Sequence, residues 1–530
     1  MNYSLQRKIW SFLDKIEICQ MKKIILFVST LLPFVGCTEQ KNAEKTKQPN
    51  IVFILADDMG YGDVSFLGGD SSKLNTVNLD RMASEGVVFT DAHSSSSVST
   101  PTRYGILTGR YNWRSNLKQG VLDGYSKALI TPGRETMASM LRKQGYTTAG
   151  IGKWHLGWDW NNIDAGIDSV DFSKPVKNGP TTRGFDYYYG FCGSLDMAPY
   201  VYIENDMPTS LPNRVTENKG KYSWWRKGPT GSDFVHEQVL PNLISRACNY
   251  ITEKAQSDQP YFLYLPLPAP HTPILPIDEY RGKSGLGEYG DFVLMVDDMV
   301  GKVLSAVKQS GEEDNTIVVF TTDNGCSPAA GIEELKAQGH LPNFIYRGHK
   351  ADLFDGGHRI PCILKWPAKV KPHKVNQTVC LTDFYATFAA INDYSLLDSE
   401  GEDSYNLLPV LLSEKEIAPI REATVHHSIN GQFTIRKGNW KLLFSASSGG
   451  WSEPKPSNKA ALKDLPVMQL YEMVSDPRET KNVVEEHPEI VKELKNLMFR
   501  YIKDGRSTPG KPQKNDDDGE WKQVKEIMQL

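Results

Sequence analysis

Residues 51 to 58 read "IVFILADD": six apolar residues without a break, then two aspartates, with Gly60 close behind. A strand with one wet face alternates apolar and polar side chains, so an unbroken apolar run marks a strand covered on both faces, as in a parallel sheet. Three later stretches repeat the pattern. "YTTAGIGKWHLG" (146–157) reads as strand into loop, "YFLYLPL" (261–267) follows Pro260, and "TIVVFTTDNG" (316–325) gives a strand over 316–320 that runs into Asp323, Asn324 and Gly325. Helical spacing falls between them, around Leu79–Val87, over Thr136–Gln144, and at Phe292, Met295, Val296, Met299, Val300, Val303, Leu304 and Val307. Strands alternating with helices define an α/β fold, with a large, mainly parallel central sheet flanked by helices.

From about residue 420 the pattern changes. "QFTIRKGNWKLLF" (432–444) and "MQLYEMV" (468–474) alternate like antiparallel strands, and "PEIVKELKNLMFRYIKDG" (488–505) is an amphipathic helix. The expected organisation is a large domain over 49–419 and a smaller C-terminal α+β domain over 420–530, whose last stretch "KPQKNDDDGEW" is polar and loose. A chain of 530 residues is long enough for both. Sixty Lys and Arg against 64 Asp and Glu leave no bulk charge to attract nucleic acid or a membrane surface.

The N-terminal apolar segment, "MKKIILFVSTLLPFVGC" from Met21, is too short to span a bilayer and ends at Cys37. It reads as a bacterial lipoprotein leader: residues 1–37 form the processed signal and lipobox region, the start is Met1 or Met21, and acylated Cys37 is the only membrane attachment. Phe34, in place of an aliphatic residue, keeps an ordinary secretory signal as the alternative. The expected setting is the periplasm or outer membrane of a Gram-negative bacterium, with 38–48 as a solvated linker. The seven cysteines (19, 37, 192, 248, 326, 362, 380) contain no C-x-x-C pair and no zinc spacing, so no disulfide framework is expected.

Ligands of an open parallel sheet collect at the carboxyl ends of its strands, where Asp57-Asp58 and Asp323-Asn324 both emerge. Four hard oxygen donors suit Ca²⁺ or Mg²⁺ better than zinc. Basic groups cluster in the same kind of position: Lys153 and His155, on one face if the segment is extended, His271 in "PLPAPHTPILP" (266–276), and Lys350 in "HKADLFDGGHRIP" (349–361). In "SSSSVSTPTRYGILTGR" (94–110) a loop enters a helix with Thr100 as N-cap and Gly109 as the stop, so Ser99 and Arg103 lie one turn apart at an anion-ready helix start. These groups describe a site for a tetrahedral oxyanion ester, with sulfate and phosphate equally compatible.

The stretch "STPTRYGILTGR" (99–110) resembles the signature of formylglycine-dependent sulfatases in the alkaline-phosphatase-like superfamily, and "PNIVFILADDMGYGD", "GKWHLG", "APHTP", "TDNG" and "KADLFDGGHRIP" support the match from Pro49 to Val483. Thr102 departs from the small Ser or Ala usual there. The resemblance implies that a maturase oxidises Ser99 to formylglycine. It implies Ca²⁺ held by Asp57, Asp58, Ser99, Asp323 and Asn324, and catalytic or sulfate-binding roles for Arg103, Lys153, His155, His271 and Lys350. Serine in place of cysteine points to an anaerobic radical maturase or to a replaced cysteine. "GFCGSLDMAPYVYIEN" (190–205) resembles segments of members acting on 6-O-sulfated galactose or N-acetylgalactosamine, which implies an exo-acting carbohydrate 6-O-sulfatase on host or algal glycans, with Asp196, Tyr200 and His358 as candidate sugar contacts. The alternatives are a phosphomonoesterase or phosphodiesterase of the same superfamily, and a non-catalytic sulfated-glycan binder.

Overall fold

The computed structural model describes residues 47–517 and 521–529. The leader, Cys37 and the linker to residue 46 lie outside the described residues. Gln48, assigned above to the linker, already belongs to the fold: its side-chain amide donates to Gln144 O and Asn392 Oδ1.

The main sheet is built from β1 (Asn50–Ala56), β2 (Val87–Phe89), β3 (Thr147–Lys153), β4 (Tyr187–Phe191), β5 (Ile203–Glu204), β6 (Met207–Pro208), β7 (Tyr261–Pro266), β8 (Thr316–Thr322), β9 (Cys362–Lys365) and β10 (His373–Val375). These ten strands lie in the spatial order β10-β2-β9-β8-β1-β7-β3-β4-β5-β6. β1 is central and pairs in parallel with β7 and β8, and β7–β3–β4 continue in parallel. The flanking pairs β8–β9, β9–β2, β4–β5 and β5–β6 are antiparallel.

The unbroken apolar run of β1 has the expected cause. Val52, Ile54 and Ala56 enter one core, and Ile51, Phe53 and Leu55 enter another on the opposite face. The first core is closed by α4 and α5 and the second by α3 and α6, among the helices α1 (Val77–Ser84), α2 (Ser99–Thr108), α3 (Met137–Lys143), α4 (Val239–Lys254), α5 (Glu288–Gln309) and α6 (Asp383–Ile391). The predicted stripe on α5 is buried from Phe292 to Val307, except Leu304, which packs half-buried; each fully buried side chain contributes roughly 1.5–3 kcal/mol.

A second, four-stranded antiparallel sheet holds β11 (Thr424–His427), β12 (Phe433–Lys437), β13 (Trp440–Leu443) and β14 (Gln469–Glu472). α7 (Pro488–Lys503) covers it, placing Val491, Leu494, Met498 and Tyr501 against Val425, Ile435, Leu442 and Leu470.

Four expectations are corrected. The helix expected to run to Val87 stops at Ser84, and Val87 opens β2 instead. α2 starts at Ser99 with Val98 as N-cap, while the Thr100 hydroxyl accepts from Leu122 N–H. β8 runs two residues past Phe320. The C-terminal stretch is tied down: Arg110 donates to Asp516 and to Lys514 O, Asp516 N–H donates to Arg114 O, and a further helix, α8 (Lys522–Gln529), follows. The five described cysteines are free, and no described helix is long and apolar enough to cross a membrane.

Candidate active site

β1 and β8 end side by side, so Asp57-Asp58 and Asp323-Asn324 meet at one edge of the sheet. Asp58 takes a left-handed backbone conformation (φ 65°), with its N–H donating to Asp323 Oδ1 at 3.2 Å. Asn324 Nδ2 donates to Asp58 Oδ1 at 2.7 Å. Behind this turn Asp63 accepts from Gly60 N–H, Tyr289 OH and His340 Nε2, which fixes the loop from below.

Cations surround the acids. Lys153, the last residue of β3, places Nζ 2.5 Å from Asp57 Oδ2. Lys350 Nζ is 2.7 Å from Asp58 Oδ1, and Arg103 Nη2 is 2.9 Å from Asp323 Oδ2 and 3.5 Å from Asp57 Oδ2. Ser99 Oγ sits among them, 3.3 Å from Asp57 Oδ1 and 3.5 Å from Lys153 Nζ. The buried serine run leads to it: Ser97 N–H donates to His427 O and Thr102 Oγ1 to Ser96 O. No side chain caps the first turn of α2, so its amides are left for an anion beside Ser99.

Burial alone raises the Asp57 carboxyl, but Lys153, His271 and Arg103 outweigh it and hold the group at about 2. Burial lowers the Lys153 ammonium, opposed by Asp57 and assisted by Arg103 and Lys350. Burial also works against the Lys350 charge, yet Asp58, Asp57 and Asp323 raise it.

The two histidines differ. His155 is buried, and its position is not the extended one expected from spacing, because the strand stops at Lys153 and His155 turns to φ 55°. Its Nε2–H donates to Leu122 O at 2.8 Å, which leaves Nδ1 a bare acceptor with no partner. Burial, Lys153 and Arg103 push its pKa well below the ordinary histidine value, so the ring is neutral at pH 7. His271 is half-buried; Nδ1–H donates to Thr272 O, and Nε2 lies 3.6 Å from Asp58 Oδ2.

A residue the sequence reading missed links Lys153 to His271. Ser194 Oγ accepts from Lys153 Nζ at 3.0 Å and lies 3.3 and 3.4 Å from the two ring nitrogens of His271. A lone serine in "GFCGSLD" carries no signal of its own; β4 brings it there.

The donor set fits a hard divalent cation. Asp57, Asp58 and His271 present ligand atoms within 4.8 Å of one another, and Asn324 Oδ1 is buried without a partner. Three carboxylates facing Arg103, Lys153 and Lys350 are electrically balanced; two further positive charges would free those side chains for an anion.

Of the candidate sugar contacts, Asp196 is buried and bonded to Arg226 through Oδ2, while its Oδ1 has no partner. Tyr200 is corrected to a packing residue: it is 1% exposed, with its hydroxyl donating to Arg226 O. His358 is corrected too. It is 1% exposed, its ring stacks on His426 at 3.9 Å, and its Nδ1 meets His93 Nδ1 at 2.9 Å. The ring nitrogens of this trio are engaged by Asp91, Leu353 O, Ser94 O and Thr424 Oγ1, so it is a hydrogen-bonded joint between the four-stranded sheet and the segments that follow β2 and precede β9.

A family model described as Sulfatase matches residues 49–394. The chain is 34% identical over 524 residues to an N-acetylgalactosamine-6-O-sulfatase of Bacteroides thetaiotaomicron, covering 89% of this chain and 98% of that one. It is 30% identical to human N-acetylgalactosamine-6-sulfatase over 74% of this chain and 72% of that one. A solved 6S-sulfatase structure, from work on glycosaminoglycan metabolism by Bacteroides thetaiotaomicron, superposes with a TM-score of 0.75 at 32% identity, covering 86% of this chain and 99% of that one.

Proposed function

The chain belongs to the sulfatase family, and from that premise we propose that it removes 6-O-sulfate from terminal N-acetylgalactosamine or galactose, with residue 99 as nucleophile. The observation that carries this reading is the meeting of three carboxylates and three basic side chains beside Ser99, with His271 3.6 Å from Asp58. Asp57, Asp58, Asp323, Asn324 and residue 99 would hold Ca²⁺, which supplies positive charge to a sulfate oxygen and to the nucleophile. Formylglycine at position 99 supplies a hydrated aldehyde that can expel sulfate by restoring its carbonyl, a route closed to an ordinary serine ester.

The chain's own residues do the rest. Lys153 and Lys350 bind the sulfate oxygens, and Arg103 stabilises the developing alkoxide at residue 99. Ser194 holds Lys153 and His271 in register through its hydroxyl. His271, half-buried and open to the substrate side, protonates the departing sugar oxygen from Nε2. His155, neutral with a bare Nδ1, takes the proton from the second hydroxyl at residue 99.

Sugar recognition is assigned to the rim beside Ser194. Asp196 Oδ1 and His236 Nε2 are both buried without partners, and such atoms favour a ligand hydroxyl. His236 stacks on Trp225 at 4.0 Å, a short step along the chain from Arg226, the Asp196 partner. In the same proposal the protein is exported and anchored through acylated Cys37.

The test is sulfate release by the matured protein from 6-O- and 4-O-sulfated N-acetylgalactosamine, 6-O-sulfated glucosamine and a phosphate monoester. Turnover of the 6-O-sulfated galacto-sugar above the others supports the reading; preference for the phosphate ester contradicts it.

A further inference from the structure

The loop carrying Lys350 is held by the C-terminal part of the chain, and one carboxylate gathers most of the bonds. Asp352 is fully buried and accepts from three backbone N–H groups, His349 at 3.0 Å, Trp451 at 2.8 Å and Ser452 at 3.1 Å, and from the Ser452 hydroxyl at 2.5 Å. His349 Nδ1 is 3.5 Å away. Its charge is therefore met chiefly by amide dipoles from segment 448–452, nearly a hundred residues along the chain.

The residue between Lys350 and Asp352 is under strain. Ala351 has φ 83°, a region that side-chain-bearing residues avoid at a cost of about 1–3 kcal/mol unless the surroundings enforce it. Here they do. Ala351 N–H donates to Ser97 O at 2.8 Å, its carbonyl accepts from Ile429 N–H, and Leu353 N–H donates to Ser448 O at 2.7 Å. The close approach depends on Gly450, where a Cβ would lie 2.3 Å from Ala351 O and 2.5 Å from Asp352 Oδ1. Lysine carries its charge on a flexible four-carbon stem, so its Nζ is only as well placed as its backbone.

We infer that Asp352 is a positioning residue: through it, segment 448–452 fixes the backbone from which Lys350 reaches the sulfate. The inference rests on the proposal that Lys350 binds sulfate. An amide at 352 would not serve, because asparagine turns two hydrogens toward groups that already donate.

The test uses the full chain in calcium buffer. Inorganic sulfate is titrated calorimetrically into the Ser99 form, and KM and kcat are measured on 6-O-sulfated N-acetylgalactosamine with the matured form, for Asp352→Asn, Lys350→Ala and the double variant. Asp352→Asn is expected to weaken sulfate binding and raise KM about tenfold, with a smaller fall in kcat, and to add nothing in the Lys350→Ala background. A cost that adds fully to that of Lys350→Ala, or no cost at all, overturns the inference and leaves the Lys350 assignment standing. If Lys350→Ala itself binds sulfate normally, that assignment fails and the inference fails with it. Should Asp352→Asn not fold, Gly450→Ala, which wedges the same contact apart, is read by the same criteria.

Discussion

His155 and His271 flank the basic side of the site with different hydrogen-bond commitments. His155 spends its only proton on Leu122 O, while His271 satisfies Nδ1 on Thr272 O and keeps Nε2 toward the cleft. The first can take a proton and the second can give one. His271→Asn in the matured protein is expected to lower kcat by roughly 10²–10⁴ while inorganic sulfate still binds, since an acid acts only on the leaving oxygen. Steady-state kinetics with sulfate inhibition checks this, and unchanged kcat removes the acid assignment. Asp57, Asp58, Asp323 and Asn324 were legible in sequence because each pair closes a strand built on a continuous apolar run. Ser194 and Asp352 were not, because their meaning lies in partners far along the chain. His358 misled for the opposite reason: it sits near Lys350 in sequence, yet its ring points into the joint with His93 and His426.

Periodicity located the elements, and capping chemistry misplaced one boundary. Thr100 looks like an N-cap, yet α2 begins at Ser99 with its first amides uncapped. The Thr100 hydroxyl is instead spent on Leu122 N–H, across to the next loop. At its other end the helix follows the rule, with Gly109 at φ 62° closing on Gly105 O. A Cβ there would meet Tyr385 Cβ and Gly401 Cα at 2.9 Å. Gly109→Ala is therefore expected to lose roughly 1–2 kcal/mol or more, seen as a lower thermal midpoint. A midpoint equal to wild type would show that the αL turn does not constrain the helix. The short antiparallel edge strands escaped the sequence reading because two-residue strands carry no periodicity, and α8 because its apolar pair Val524 and Ile527 spans barely two turns after a polar stretch.

Buried histidines tie the four-stranded sheet to the main domain, and together with His236 they shape the acid stability of the whole molecule. Burial holds His358 and His426 well below the ordinary value, with help from His426 for the first and from His93 and Lys441 for both, and burial lowers His427 to about 3 and His236 to about 4. A histidine whose folded pKa is depressed contributes its stability above the unfolded value of about 6.5. Below that pH the unfolded chain takes up protons that the fold refuses, at roughly 1.4 kcal/mol per pH unit for each group. The thermal midpoint is expected to fall steeply between pH 6 and 4, and less steeply in His426→Gln; a flat profile contradicts the joint. Calcium at the proposed site is expected to act in the other direction. Ca²⁺ at a hundredfold excess over its Kd should add about 2.7 kcal/mol, seen as a raised midpoint that chelation reverses. Asp323→Asn should abolish the calcium shift.

The central claim is that position 99 becomes an aldehyde whose hydrate takes sulfate from a galacto-configured sugar. Its most direct measurement is sulfate release from 6-O-sulfated N-acetylgalactosamine by protein produced with and without a formylglycine-generating maturase. The account predicts release only after maturation, in step with the loss of two hydrogens from the peptide spanning residue 99. Equal release by protein in which that peptide keeps an intact serine would contradict it.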